Sequence, residues 1–314
     1  MSSSPKSRSK AATRAEPAPR QRRHPIPRLN ATMACDTAFR VIARRCLGNL
    51  TANHDATCRG DPVAVHQMRI ALTRLRTAIL FFSPMVADTE SKRLRDELKW
   101  LNGPLGAVRD LDVAIKRLRE INKQRPQPRS YYRSWNEKRA DSHRLLARTL
   151  RSARYRRLVK STSGWVENGP WSIKKGKQAK ERASPIAAYS ARQLRRWQQK
   201  LLKKSRKLAD MGAEKRHRLR LLNKKLSYSI ELLEDLFRDK RFSRQQDALK
   251  HLRRAQRSLG QLNDDAKGQS LAASLQRDGV PAPVQFLGHK RQKRLLRTAA
   301  AAYRKLAALR PFRS

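Results

Sequence analysis

Acidic side chains are scarce in this chain: 25 Asp and Glu stand against 74 Lys and Arg, for a formal net charge of +49 over 314 residues. A compact chain with that imbalance repels itself and belongs beside a dense polyanion, whether nucleic acid, an anionic membrane surface or an inorganic phosphate polymer. Cysteine is nearly absent as well. Cys35, Cys46 and Cys58 lie too far apart for a C-x₂-C metal site and are odd in number, which points to a reducing, cytoplasmic setting without a disulfide framework. No apolar run reaches the ~18 residues that a bilayer span needs, and the N-terminus lacks the apolar stretch of a secretory signal. Aromatics make up 6% of the chain, and none falls in the basic stripes described below, so no platform for stacking bases is expected there. A P-loop, G-x-S-x-G, H-E-x-x-H and clustered carboxylates that could hold Mg²⁺ are all missing, which leaves no catalytic residue or cofactor to name.

What is present is helical periodicity, with hardly any alternating strand pattern. Residues 1–30, rich in Ser, Pro, Ala and Arg, carry no apolar face and read as a disordered basic arm. A first helical half is expected over 31–160. Asp61 and Pro62 form a helix start and Ser83-Pro84 a stop; Gly103-Pro104 is expected to divide the next helical segment, and one long helix is expected over 131–159. Residues 161–185 carry glycine, proline and lysine in the manner of a basic linker, and a second helical half is expected over 186–314, with segments near 186–210, 213–238, 243–276 and 283–309.

The two halves look like copies. His66, Arg69, Arg74, Leu75 and Phe81 match His217, Arg220, Lys225, Leu226 and Leu232 at one offset of 151, and LGAVRDLD at Leu105 matches LGQLNDDA at Leu259 three residues further on. The expected fold is therefore all-α: two four-helix bundles related by an internal pseudo-twofold repeat.

On a helix, His66, Arg69, Thr73 and Arg76 share a stripe about 80° wide, with Arg74 at its flank, opposite an apolar face of Met68, Leu72, Leu75, Ile79 and Phe82. In the second copy His217, Arg220, Lys224 and Ser227 form the stripe, Lys225 flanks it, and Leu219, Leu222, Leu226 and Leu233 face inward. If the two helices meet, their stripes line one basic groove, costly to assemble unless an anion fills it. Asp110 and Asp112, with Asp264 and Asp265 in the second copy, make a weak metal signal. They read instead as helix caps or as ion-pair partners that aim cations such as Arg109.

The stretches VHQMRIALTRLRTAILFF and LKWLNGPLGAVRDLDV, with their degenerate second copies HRLRLLNKKLSYSIELL and LGQLNDD, resemble the CHAD family, the conserved histidine α-helical domain, over about residues 31–309. The resemblance implies two four-helix bundles with a basic surface between them that binds inorganic polyphosphate without catalysis. Carried over by position, it implicates His66, Arg69, Arg74, Arg76, His217, Arg220, Lys224 and Lys225, and Arg109 joins them as a candidate phosphate contact. Thr73 and Ser227 stand where the family usually has a basic residue, removing a cation from each stripe. Many relatives carry a CYTH triphosphatase module, whose E-x-E-x-K signature has no counterpart here, so a standalone member is expected. Some standalone relatives are associated with polyphosphate or polyhydroxyalkanoate storage granules, which makes granules a candidate partner. A general nucleic-acid binder using the same positive surface is the competing expectation.

Overall fold

The computed structural model describes residues 28–122, 129–237, 242–277, 288–309 and 312. Nearly all of the expected arm and the start of the last expected segment lie outside them. Among the described residues the chain is helical: α1 (Cys35–Ala52), α2 (His54–Cys58), α3 (Pro62–Phe81), α4 (Ser83–Val86), α5 (Thr89–Asn122), α6 (Arg129–Arg151), α7 (Ala153–Asn168), α8 (Lys177–Ala183), α9 (Ile186–Ser205), α10 (Ala213–Leu232), α11 (Phe242–Arg277) and α12 (His289–Ala308), with 3₁₀ turns at Pro170–Ser172 and Glu234–Phe237. The all-α expectation holds.

Helix α3 begins as its sequence dictates. Pro62 opens the first turn, and the Asp61 carboxylate accepts from the amides of Val63 at 2.7 Å and Ala64 at 3.3 Å, satisfying donors that a helix start leaves free. Met68, Leu72, Leu75, Ile79 and Phe82 are all buried. In the first half α3 packs between α1 and α5, α6 lies along α5 and α7, and α7 reaches back to α1; in the second, α9, α10, α11 and α12 close a ring. Helices α9 and α10 start at Ile186 and Ala213, which keeps the offset of the motifs from the starts of α1 and α3 at Cys35 and Pro62.

Three expectations about segment boundaries are corrected. Gly103-Pro104 does not divide α5, which runs through Pro104. The proline removes one backbone hydrogen bond, but Leu98, Leu101, Leu105 and Val108 continue one buried face across it, and that packing outweighs the local break. The helix expected over 131–159 is broken after Arg151, where the Ser152 hydroxyl accepts from the Tyr155 amide at 3.2 Å and starts α7.

The stretch expected as a linker is folded in. Trp165 and Trp171 are buried against Phe39, with ring centroids 5.7 and 5.3 Å away. Asp88 fastens them, accepting from Trp165 Nε1 at 3.2 Å and the Trp171 amide at 3.1 Å while it caps α5 at Ser91 N, 2.6 Å. Two buried tryptophans outweigh what the local glycine and proline content implies. The core is continuous between the halves: Tyr189 of α9 stacks on Phe82 at 5.4 Å, and its hydroxyl donates to the Phe81 carbonyl at 2.9 Å.

Candidate functional site

The two motif helices meet. Helix α3 packs on α10, and α5 on α11, so four helices from two halves form one seam. The apolar faces of α3 and α10 are anchored in the core, which fixes the rotation of each helix and turns parts of both basic stripes toward that seam.

Arg69 of α3 and Lys267 of α11 share the Asp110 carboxylate of α5, Arg69 Nη1 lying 3.8 Å from Oδ1 and Lys267 Nζ pairing with Oδ2. Arg220 of α10 is largely buried. Its Nε is enclosed without a hydrogen-bond partner, and burial, opposed by Asp264 and reinforced by Arg69, lowers its affinity for its proton. Lys224, one turn on, is held down to about 7 by burial first and then by the charges of Arg220 and Arg69. His66 is also depressed, by burial and then by Arg109, Arg69 and Lys224. His66, Arg69, Arg109, Arg220 and Lys224, with Lys267, therefore lie in one electrostatic cluster whose only carboxylates among these interactions are Asp110 and Asp264.

Other expected site residues go elsewhere. Arg76 and Lys225 form a second basic group with Lys200; burial depresses both, and Lys225 also feels Lys200 and Arg76. Arg74 is an inter-half strut, with Nη2 2.9 Å from Glu231 Oε2 and its guanidinium 5.9 Å from the Tyr228 ring centroid. His217 Nδ1 is 2.5 Å from Asn263 Oδ1, so that nitrogen carries the donated proton and is committed to a neutral amide.

Several local readings need correction. Ser227 keeps its place on the stripe of α10, two turns beyond Arg220, but is buried there, 1% exposed. The Thr73 hydroxyl donates to the Arg69 carbonyl of its own helix at 2.8 Å. Asp110 and Asp112 lie inside α5 and cap nothing; Asp112 pairs with Arg139 at 2.6 Å, with His143 3.7 Å away. They are ion-pair partners, as expected, but of cations other than Arg109. No group of three or more potential metal ligands occurs among the described residues.

Lys267, Lys200, Glu231 and Tyr228 were not legible as site residues. For Lys267 a signal existed: it follows Asp264 by three positions, one turn along the same helix face. Tyr228 also qualifies the expectation of stripes without aromatics, since Arg74, Arg220 and Arg69 all act on its hydroxyl, which burial pushes up.

The architecture is shared with known structures. The CHAD domain from the plant Ricinus communis matches at 25% identity with a TM-score of 0.71, over 92% of this chain and 97% of that one. PptA from Streptomyces chartreusis matches at 13% identity with a TM-score of 0.59, over 88% and 96% of the two chains, a likeness of fold alone. No curated protein matches the chain. The CHAD domain family model matches residues 41–273, which takes in both motif helices and the α5 and α11 segments that complete the seam; the chain belongs to the CHAD domain family.

Proposed function

We propose that this CHAD protein binds inorganic polyphosphate, without chemical turnover, in the seam between its halves. The observation that carries the reading is the convergence of Arg69, Arg220 and Lys224 from two separate helices at a place where Lys224 is held down to about 7. Such a cluster is unfavourable when empty and becomes favourable when a chain of phosphates supplies the missing negative charge. Arginine contacts phosphate oxygens through two parallel donors, and lysine acts as a point charge. A polymer of phosphate alone presents charge at every unit and no bases, and the chemistry of the seam is correspondingly cationic.

The test is competition at fixed salt, because polyanion affinity depends steeply on it. Labelled long-chain polyphosphate is displaced by unlabelled polyphosphate, DNA or RNA at equal phosphate concentration. Selective displacement by polyphosphate, and its weakening in an Arg69→Gln/Arg220→Gln variant, supports the reading. Equal displacement by DNA or RNA replaces it with generic nucleic-acid and polyanion binding over the whole +49 surface. Release of orthophosphate from the polymer by purified protein with Mg²⁺ would show that binding is accompanied by catalysis.

A further inference from the structure

The seam leaves much of the positive charge unused, and one part of the remainder surrounds a defined cavity. Between the end of α2 and the face of α6 lies a space of about 540 Å³ bordered by Arg59, Gly60, His143, Arg144, Arg148 and Arg151. We propose that this cavity is a second anion site, separate from the seam, for a short phosphate-terminated ligand of the pyrophosphate class.

Helix α5 separates the two places. Asp110 faces the seam through Arg69 and Lys267, whereas Asp112 meets Arg139 and His143 of α6; residues two apart on a helix point in nearly opposite directions, about 200° around the axis. Arg144 is ion-paired with Asp141, but Arg59, Arg148 and Arg151 enter no ion pair among the described residues. Three guanidiniums around one hollow match the oxygens of a compact phosphate group.

The floor adds an independent observation. His143 is 11% exposed, with Nε2 3.7 Å from the Asp112 carboxylate, and both of its ring nitrogens are enclosed without a hydrogen bond. Gly60, at φ +85°, turns the chain beside it, and a Cβ there would stand 3.6 Å from His143 Nδ1, so the wall passes close to the imidazole. The volume lies in the usual range of small-ligand sites, about 300–1,000 Å³. Apart from the imidazole no ring lines it, so the recognised part is phosphate, with no stacking surface for a base.

Cys58 also borders the cavity and supplies the readout. It is partly exposed, although burial pushes its thiol up as well, whereas Cys35 and Cys46 are buried and their thiols are pushed up to about 11 and about 12; enclosure and loss of the reactive thiolate together make those two alkylate more slowly. The rate of Cys58 alkylation is measured on the full chain with increasing pyrophosphate, against NaCl of matched ionic strength, and each variant is compared with itself without ligand. Occupancy slows the reaction as mass action requires, about tenfold at nine times the dissociation constant. Protection is expected in the native chain and in Arg69→Gln/Arg220→Gln, and is expected to be lost in Arg59→Gln/Arg148→Gln, whose substituted side chains are exposed and whose folding is checked by melting. Absence of protection in the native chain, its persistence in the Arg59→Gln/Arg148→Gln variant, or its loss in the seam variant would each overturn the proposal. So would stronger protection by long-chain polyphosphate than by pyrophosphate at equal phosphate, which would make the cavity a stretch of the polymer's track. Because the seam variant is one arm, failure of this site is distinguishable from failure of the seam.

Discussion

Arg74 of α3 reaches across the boundary between the halves to Glu231 of α10, with Nη2 2.9 Å from Oε2, and Arg253 of α11 holds the other oxygen of the same carboxylate at 3.1 Å. The motif places Arg74 among phosphate contacts, but its charge is already answered by a carboxylate that is only 16% exposed. Its geometry is that of a tie between the halves.

Arg74→Gln is therefore expected to lower the melting temperature while changing polyphosphate affinity little. The loss is about 1 kcal/mol, kept small because the arginine side chain is 37% exposed and Arg253 continues to neutralise Glu231. Arg220→Gln is expected to do the opposite: affinity falls about tenfold to a hundredfold, as for loss of one charge-assisted hydrogen bond, and the empty protein melts no lower. Paired melting and binding curves for the two variants check this, and a larger affinity loss for Arg74→Gln would return it to the binding surface.

The difference between Arg74 and Arg220 marks how far sequence carries. Apolar periodicity placed α3 and α10 and chose their buried faces, because burial of Met68, Leu72, Leu219 and Leu226 is set by residues three and four apart on one helix. It also brought out His66, Arg69, Arg220 and Lys224, which the seam gathers together with Arg109. It could not show that Glu231 stands opposite Arg74, or that Asp88, far along the chain, fastens Trp165 and Trp171, since such partners come from other helices. Nor does local composition reveal that Pro104 is overruled by packing on both sides of it. Whether Lys225 faces Lys200 or the seam is likewise a matter of helix crossing.

Lys224 should take up a proton when the seam fills. Its folded value of about 7 lies below the ordinary 10.5 because of burial and then Arg220 and Arg69. Bound phosphate restores the charged form. At pH 8 the free site is mostly neutral, so binding is accompanied by proton uptake, measurable as a calorimetric enthalpy that varies with buffer ionisation heat; Lys224→Met should abolish that dependence. The internal phosphates of a long chain stay ionised throughout and contribute nothing to it. Linkage also fixes the sign for stability. Between about 7 and 10.5 the unfolded chain binds the proton that the folded chain has released, so this group makes stability rise with pH across that window. Lys224→Met should stabilise the empty protein most at or below pH 7, and the gain should shrink as pH rises toward 10.5. A gain that grew with pH would contradict the assignment.

Gly169 is confined by the tryptophan pair. A Cβ there would come within 2.5 Å of the Trp165 carbonyl oxygen and 2.7 Å of Trp171 Cδ1, distances that force the backbone or both rings to move. Gly169→Ala is expected to destabilise by about 1–3 kcal/mol, the range for overpacking a well-filled core. Chemical denaturation with tryptophan fluorescence reads both the loss and the displaced rings. An unchanged midpoint would mean that the 161–185 stretch adds little to the fold despite its buried side chains.

Asp110 is one of the two counter-charges that the seam carries, with Asp264, and shares its carboxylate between Arg69 and Lys267. An entering phosphate competes with it for those donors, so its presence should stabilise the free protein and oppose binding. Asp110→Asn leaves a similar shape and removes the charge. Without ligand, Arg69, Lys267 and Arg220 then repel one another with less opposition, and the protein should melt lower. With polyphosphate the repulsion is answered by the ligand, so the deficit should shrink and affinity should rise, most clearly at low salt, where screening is weakest. Melting curves with and without long-chain polyphosphate, together with binding at two salt concentrations, separate the two effects. A fall in affinity would assign Asp110 the other role open to a carboxylate between two cations, holding Arg69 and Lys267 in the orientation that receives phosphate, and the competition argument would be wrong.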